Sequence, residues 1–278
     1  MKLSEMRQLL SHRGIRLTKA LGQNFLHDGN QLRRIVAAAD LSEADQVLEI
    51  GPGLGPLTEL LLASGAAVLA VEKDARLVEL LRERFRDHAG LSLQHADALA
   101  LVRVRQDWSG WKVVSNLPYS VGSPLLVELA QGPAGPKRMV VTVQWEVAQR
   151  ILARAGDADY GVLTLLLQLQ YAPGPFFKIP APCFHPAPEV DSACLVLERK
   201  SGSELNGVQR TAFKKVVKRA FAQRRKMMLK LLKADWPEPA LQRAFAEVGL
   251  SPGLRAEAVT LEQFIRLSGT LAATSGLA

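Results

Sequence analysis

Five short runs of apolar and β-branched residues, Gln46 to Ile50, Ala67 to Val71, Leu91 to His95, Lys112 to Ser115 and Met139 to Val143, alternate with stretches of helical periodicity. The short runs read as strands, and the three-and-four spacing of apolar residues over 57–63, 75–85, 124–130 and 146–154 reads as helix. Strands that alternate with helices are joined by crossovers, and crossovers build a parallel sheet with helices against its faces. The first part of the chain is therefore expected to be α/β, a doubly wound, Rossmann-like domain.

After residue 154 the pattern changes. An apolar stretch over 162–169 and the run Ala193 to Leu197 read as late strands, with a rigid, proline-studded surface loop carrying Pro173, Pro175, Pro180, Pro182, Pro186 and Pro188. Ser201-Gly202-Ser203 reads as a linker. Beyond it, Val208 to Leu232, Pro239 to Val248 and Leu261 to Leu267 read as helices with no strand between them. The expected division is a larger domain over 1–200 and a small, all-helical C-terminal domain over 204–278.

Charge separates the two parts. Of a net charge of +8, residues 201–278 carry +7, from 13 Lys/Arg against 6 Asp/Glu. No acidic residue lies between Asn206 and Ala234, a span that holds Lys214, Lys218, Arg219, Arg224, Arg225 and Lys226 among its cations. A solvated helix face that only aids solubility would keep some acids elsewhere on the helix. Cations on every face point instead to a polyanion, hence nucleic acid. The start, Met1-Lys2-Leu3-Ser4-Glu5, lacks a secretory pattern, and no apolar run is long enough to cross a bilayer. Two cysteines, Cys183 and Cys194, are too few for a disulfide framework or a zinc site. A cytoplasmic protein with no metal and no membrane is expected.

The first strand runs into Glu49-Ile50-Gly51-Pro52-Gly53-Leu54-Gly55, a glycine-rich turn that opens a helix. Ligands of such sheets bind at the carboxyl ends of the strands. Gly51 and Gly53 allow close backbone approach, and Glu72, at the end of the second strand, lies where ribose hydroxyls would be held. Both a nicotinamide cofactor and S-adenosylmethionine fit this much. The Gly-x-Gly-x-Gly spacing and a carboxylate at Glu49, which could attract a sulfonium or amino group, favour the methyl donor. Asp97, after the third strand, could accept from an adenine amine or cap a helix.

Asn116-Leu117-Pro118-Tyr119 follows the fourth strand, on the same edge. The lone pair of an aryl amine is delocalised into its ring, so the nitrogen attacks poorly unless acceptors hold its hydrogens. The Asn116 side-chain oxygen supplies one acceptor, the Leu117 carbonyl set outward before Pro118 a second, and Tyr119 a face for stacking. An ordinary turn after a strand would also use Asn and Pro. Position at a strand end beside the glycine turn favours methylation of a planar amine such as adenine N6.

At this point the sequence resembles the KsgA-type (RsmA) small-subunit ribosomal RNA adenine N6-dimethyltransferases, relatives of the Erm methylases. The similarity runs nearly end to end: Lys19-Ala20-Leu21-Gly22-Gln23-Asn24-Phe25-Leu26, Glu49 to Thr58, Gln144-Trp145-Glu146-Val147-Ala148-Gln149-Arg150, Phe184-His185-Pro186-Ala187-Pro188-Glu189-Val190-Asp191-Ser192, Ala220-Phe221-Ala222-Gln223-Arg224-Arg225-Lys226 and Arg255-Ala256-Glu257 look like its blocks. The resemblance implies a class I S-adenosylmethionine-dependent methyltransferase sheet. It implies that Asn24, Leu26, Gly51, Glu72, Asp97 and Asn116 contact the donor and that Phe184 is a second stacking face. It also implies N6-dimethylation of two adjacent adenines near the 3′ end of 16S rRNA in the assembling 30S subunit; a monomer when free is expected. His95-Ala96-Asp97 departs from the glycine the family often has before this Asp. The rival readings are an Erm-type 23S rRNA methylase, a nicotinamide dehydrogenase and a non-enzymatic assembly factor.

Overall fold

A computed structural model of the chain describes residues 1–15, 17, 22–132, 134–202 and 205–274. Lys19, Ala20 and Leu21 of the amino-terminal block, Ser203 of the linker, Glu204, and residues 275–278 lie outside the described residues. Two compact units are present, one formed by 1–148 with 171–199 and the other by 149–170 with 200–278. The second unit takes in the stretch 149–170 as well as everything described from residue 200 onward.

The first unit is built on strands β1 (Phe25–Leu26), β2 (Gln46–Ile50), β3 (Ala67–Glu72), β4 (Leu91–His95), β5 (Trp111–Asn116), β6 (Arg138–Gln144), β7 (Tyr171–Ile179), β8 (Phe184–His185) and β9 (Ser192–Arg199). Seven of them form one sheet in the order β4-β3-β2-β5-β6-β9-β7, while β1 and β8 pair separately. Strands β4, β3, β2, β5 and β6 are mutually parallel, and β9 pairs antiparallel with both β6 and β7. The centre of the sheet is apolar: Val47, Leu48, Val113, Val114, Val140 and Leu195 are fully buried. Continuous apolar strands of this kind are what a parallel sheet covered on both faces requires. Strand order reverses between β2 and β5, which opens a crevice at their carboxyl ends.

Two late expectations are corrected. The 162–169 stretch forms the helix Val162–Gln168, not a strand; Thr164 accepts from the Gly161 amide at 3.1 Å, and Gln168 donates to the Ile151 carbonyl at 2.8 Å. A continuous apolar run does not by itself distinguish strand from buried helix. The first half of the proline-rich segment is strand β7, at the sheet edge. An edge strand has a row of amides with no partner, so Pro173 and Pro175 are tolerated there. Helices Leu3–His12 and Gly29–Ala39, which no expectation above covers, also belong to this unit.

In the second unit, Phe213, Val217, Leu241, Phe245, Phe264 and Leu267 form the interior, and the Tyr160 hydroxyl donates to the Val259 carbonyl at 2.9 Å. The expected single helix over 208–232 is two, Gly207–Ala220 and Met228–Leu232. Phe221 packs at 6.0 Å from both the Tyr160 and Phe264 rings, and the Met228 amide donates to Leu254. Continuing the helix would also stack Arg224, Arg225 and Lys226 on like charges below them.

At the opposite edge of the sheet from the crevice, Asp45 joins Lys112 at 3.0 Å and Lys137 at 2.6 Å and accepts from Ser42. Burial would raise the Asp45 carboxyl, but Lys137, Ser42 and Lys112 together hold it well below the usual carboxylate range. A depressed carboxyl contributes stability above its unfolded value and loses it as pH falls through the folded value. Asp45→Asn is expected to cost about 3 kcal/mol, because it leaves Lys112 buried without its counter-ion. Urea unfolding at neutral pH checks this, and the deficit should shrink on acidification.

Candidate active site

The carboxyl ends of β2, β3, β4 and β5 surround a cleft of about 230 Å³, lined by Asn24, Gly51, Gly53, Glu72, Asp97, Asn116, Leu117, Pro118 and Tyr119 among others. One liquid water occupies only ~30 Å³, so the space suits a ligand rather than hydration alone. Nine residues singled out in the sequence are thus brought together.

The glycine turn is shaped by its neighbours. Gly51 and Gly53 adopt φ of +65° and +61°, where side chains are strained. A β-carbon on Gly51 would lie 3.0 Å from Pro118 Cγ, and one on Gly53 would lie 2.5 Å from the Phe25 ring. The turn is pressed between the Asn116–Tyr119 segment and the amino-terminal arm. Phe25 is itself held by Met6, Leu10, Leu54 and Leu77, which gives the N-terminal helix its part in the site.

Glu72 ties this turn to the next strand end. One carboxylate oxygen accepts from the amides of Lys73 at 2.8 Å and Asp74 at 2.9 Å, and the other from Gly53 at 3.3 Å. Burial raises its pKa against the pull of these donors. A carboxylate has about four acceptor positions, so Oε2 retains capacity for a ligand hydroxyl. Asp97 takes the second of the two roles considered for it, the helix cap. Its Oδ1 caps the helix Ala98–Val104 by accepting from Leu99 and Ala100, while Oδ2 faces Lys73 Nζ at 2.8 Å, and the residue still lines the cleft. The Lys73 ammonium, then the cap amides, lower its pKa.

Asn116 is fixed from behind. Its Nδ2 donates to the Asn24 carbonyl at 2.9 Å, and Oδ1 is buried with no partner among the described residues. A buried acceptor left unpaired costs about 1–3 kcal/mol, which a ligand donor would recover. Leu117 also lines the cleft, and among the described residues no donor takes its carbonyl. The Tyr119 hydroxyl lies 2.5 Å from Ser192 Oγ, and burial raises its pKa, so the phenol stays neutral.

Other expected residues fall elsewhere. Leu26 and Phe184 pair across β1 and β8 and are buried in the core around Leu32, Ile35 and Val196; neither lines the cleft. Glu49 does not line it either. It is 1% exposed beneath the turn, and burial pushes it up to about 8, so at neutral pH it is protonated and offers no charge to a sulfonium. In the second unit, Lys218, Arg224, Arg225 and Lys226 are exposed, Lys214 is half-buried, and Arg219 is held by Asp235 at 2.5 Å. Sequence reasoning passed over Gln23, Phe25, Lys73 and Leu77 as lining residues. Gln23 and Phe25 stood inside the amino-terminal block, and Leu77 on a helix periodicity; Lys73 carried no signal.

The family described as ribosomal RNA adenine dimethylase matches residues 14–273. The chain belongs to this family. It is 37% identical over 270 residues to a ribosomal RNA small subunit methyltransferase A of Geobacter metallireducens, covering 95% of this chain and 98% of that protein. The protein of the same name from Magnetococcus marinus is 40% identical over 270 residues, 96% of each chain. Among solved structures, a dimethyladenosine transferase from Plasmodium falciparum aligns with a TM-score of 0.76 at 25% identity, covering 87% of this chain and 95% of that one. The 23S rRNA methyltransferase ErmE aligns with a TM-score of 0.67 at 27% identity, covering 89% and 99%. The class I methyltransferase sheet expected from the sequence is borne out, and the dehydrogenase reading falls. This dimethylase is an S-adenosylmethionine-dependent enzyme.

The residues present fit that donor: a glycine cradle with no room for β-carbons, the Glu72 carboxylate, and the orphaned acceptor of Asn116. Glu49 supplies a test of the burial argument. Its folded value, about 8, exceeds the ordinary 4.5, so its stabilising proton is fully bound at low pH. That contribution is lost as pH rises from about 4.5 to about 8. Glu49→Gln is expected to flatten this descending part of the stability profile, read by urea unfolding across the same interval; parallel profiles for variant and parent would count against it.

Proposed function

We propose that the protein transfers two methyl groups to N6 of each of two adjacent adenines in a hairpin near the 3′ end of 16S rRNA, within the 30S subunit or its precursor, and that it acts as a monomer. The observation that carries the chemistry is Asn116: a side-chain oxygen that is buried, without a partner among the described residues, and held in place from behind by Asn24. The relatives named small subunit methyltransferase A, similar along nearly the whole chain, support the choice of subunit.

S-adenosylmethionine supplies an electrophilic methyl group. Gly51, Gly53, Glu72, Asp97 and Asn24 would hold it, and everything else is orientation by the chain. Asn116 Oδ1 and the Leu117 carbonyl accept the two amine hydrogens and favour a more tetrahedral nitrogen, whose lone pair is then free to attack. Tyr119 offers a flat face for the purine, with its ring held by Ser192. Aligned and desolvated reactants gain several kcal/mol from positioning alone. No general base is required, because the N-methylated cation is acidic and releases its proton to water. The monomethylated amine keeps one hydrogen, so one acceptor suffices to hold it for the second transfer.

The target adenine must leave its stack to enter the cleft. Lys218, Arg224, Arg225 and Lys226, with the half-buried Lys214 and the Asp235-paired Arg219, supply cations for the surrounding phosphates. An Erm-like action on 23S rRNA is the second reading, favoured by the likeness to ErmE.

Labelled donor offered with undermethylated small subunits or with large-subunit RNA separates the two; label only in the latter would overturn the first. Asn116→Ala is expected to lower kcat by about 10²–10³, the usual effect of removing one preorganised polar group, while RNA affinity is kept. Unchanged turnover would show that Asn116 does not organise the amine.

A further inference from the structure

The block Gln144-Trp145-Glu146 and the end of strand β7 carry side chains that the transfer chemistry does not use. Phe176 is 51% exposed and is the one aromatic ring among the strongly exposed large hydrophobic side chains of the described residues. It is not isolated. Its ring centre lies 6.5 Å from that of Trp145 at an interplanar angle of 49°, and Lys178 Nζ lies 5.3 Å from the Trp145 ring. Lys178 also reaches Asp191 Oδ2 at 2.7 Å, and the Trp145 amide donates to the Asp191 carbonyl. The intervening Phe177 packs against the core under the Arg34 guanidinium, at 3.8 Å, so alternation along β7 puts Phe176 and Lys178 together on the other face.

We propose that Trp145, Phe176 and Lys178 form a platform on which an unpaired nucleobase of the RNA stacks, next to the base that enters the cleft. Continuity with the cleft supports the location. Gln144, Ser192 and Ile179 are aligned across β6, β9 and β7, and Ser192 Oγ holds the Tyr119 hydroxyl. Trp145 follows Gln144 and Lys178 precedes Ile179, so the platform flanks the strand end at Ser192 that holds the Tyr119 hydroxyl. Chemistry identifies the occupant. Flat aromatic faces beside an ammonium match a base and its phosphate, and stacking of this kind tolerates any base. Extruding one adenine leaves its neighbours partly unstacked, so such a base is at hand. The Lys178–Asp191 pair is solvent-exposed and weak, so a phosphate can compete for the ammonium. Pro173 and Pro175 deny the edge two amide donors, which disfavours a protein strand adding there.

The platform rests on the RNA acceptor proposed above, and the test separates the two. Full-length Phe176→Ala and Phe176→Tyr are compared with the parent for donor affinity, for KM and kcat on undermethylated small subunits, and for affinity to protein-free RNA carrying the hairpin. Phe176→Ala is expected to raise KM and weaken protein-free RNA binding about tenfold, the size of one lost base stack, with kcat and donor affinity unchanged. Phe176→Tyr keeps the aromatic face and should match the parent. An unchanged KM for Phe176→Ala overturns the platform, as does a tyrosine variant as impaired as the alanine one, which would mark a packing role. Loss of affinity for the subunit but not for protein-free RNA overturns it in favour of a protein-docking surface. If the parent itself transfers no methyl group to RNA, the proposed function fails and the platform with it.

Discussion

The site depends on the lack of a side chain at Gly51. With φ of +65° and Pro118 Cγ only 3.0 Å from where a β-carbon would sit, the backbone of the glycine turn closes directly onto the segment that presents Asn116 and Tyr119. That single close approach makes one cleft of what would be two neighbouring strand ends. It sets the glycine turn against the Asn116–Tyr119 turn, the approach that the proposed transfer of a methyl group between them requires. Phe25 presses the other side of the turn through Gly53, which ties the N-terminal helix to the same arrangement.

Burial then decides which polar groups are available. Glu49, expected to lend negative charge, is shut beneath the turn and holds its proton. Glu72 stays on the cleft wall because three backbone amides satisfy it there. Asn116 differs from both in that its amide nitrogen is committed to Asn24 while, among the described residues, its oxygen has nothing to accept from. Backbone donors fix the carboxylate and none reaches the amide oxygen among the described residues, which suits it to the amine-accepting role proposed above.

The parallel sheet and the glycine turn were legible because their signals are local: apolar runs of strand length, glycines at a turn, and Asn116 one step past a strand. Lys112 to Ser115 read as strand, for example, from residue types alone, and β5 extends it by one residue at each end. What failed needed the third dimension. Val162–Gln168 is a helix because Gly161, Thr164 and Gln168 find local partners, and residue hydrophobicity does not encode that choice. Prolines in β7 were read as loop because tolerance of proline depends on being at an edge, a property of the finished sheet. The pairing of Leu26 with Phe184 across β1 and β8, which buries both, likewise joins residues too far apart in the chain for any local signal. Lys73, which pairs with Asp97 at 2.8 Å on the cleft wall, had no pattern to announce it.

The central claim is that this cleft dimethylates adenine N6 in small-subunit ribosomal RNA, and mass-spectrometric mapping of N6-dimethyladenine in ribosomal RNA from cells with and without the protein tests it most directly. Two adjacent dimethyladenines near the 3′ end of 16S rRNA should be present with the protein and absent without it. An unchanged 16S pattern, or a mark that is lost from 23S rRNA instead, would contradict the account.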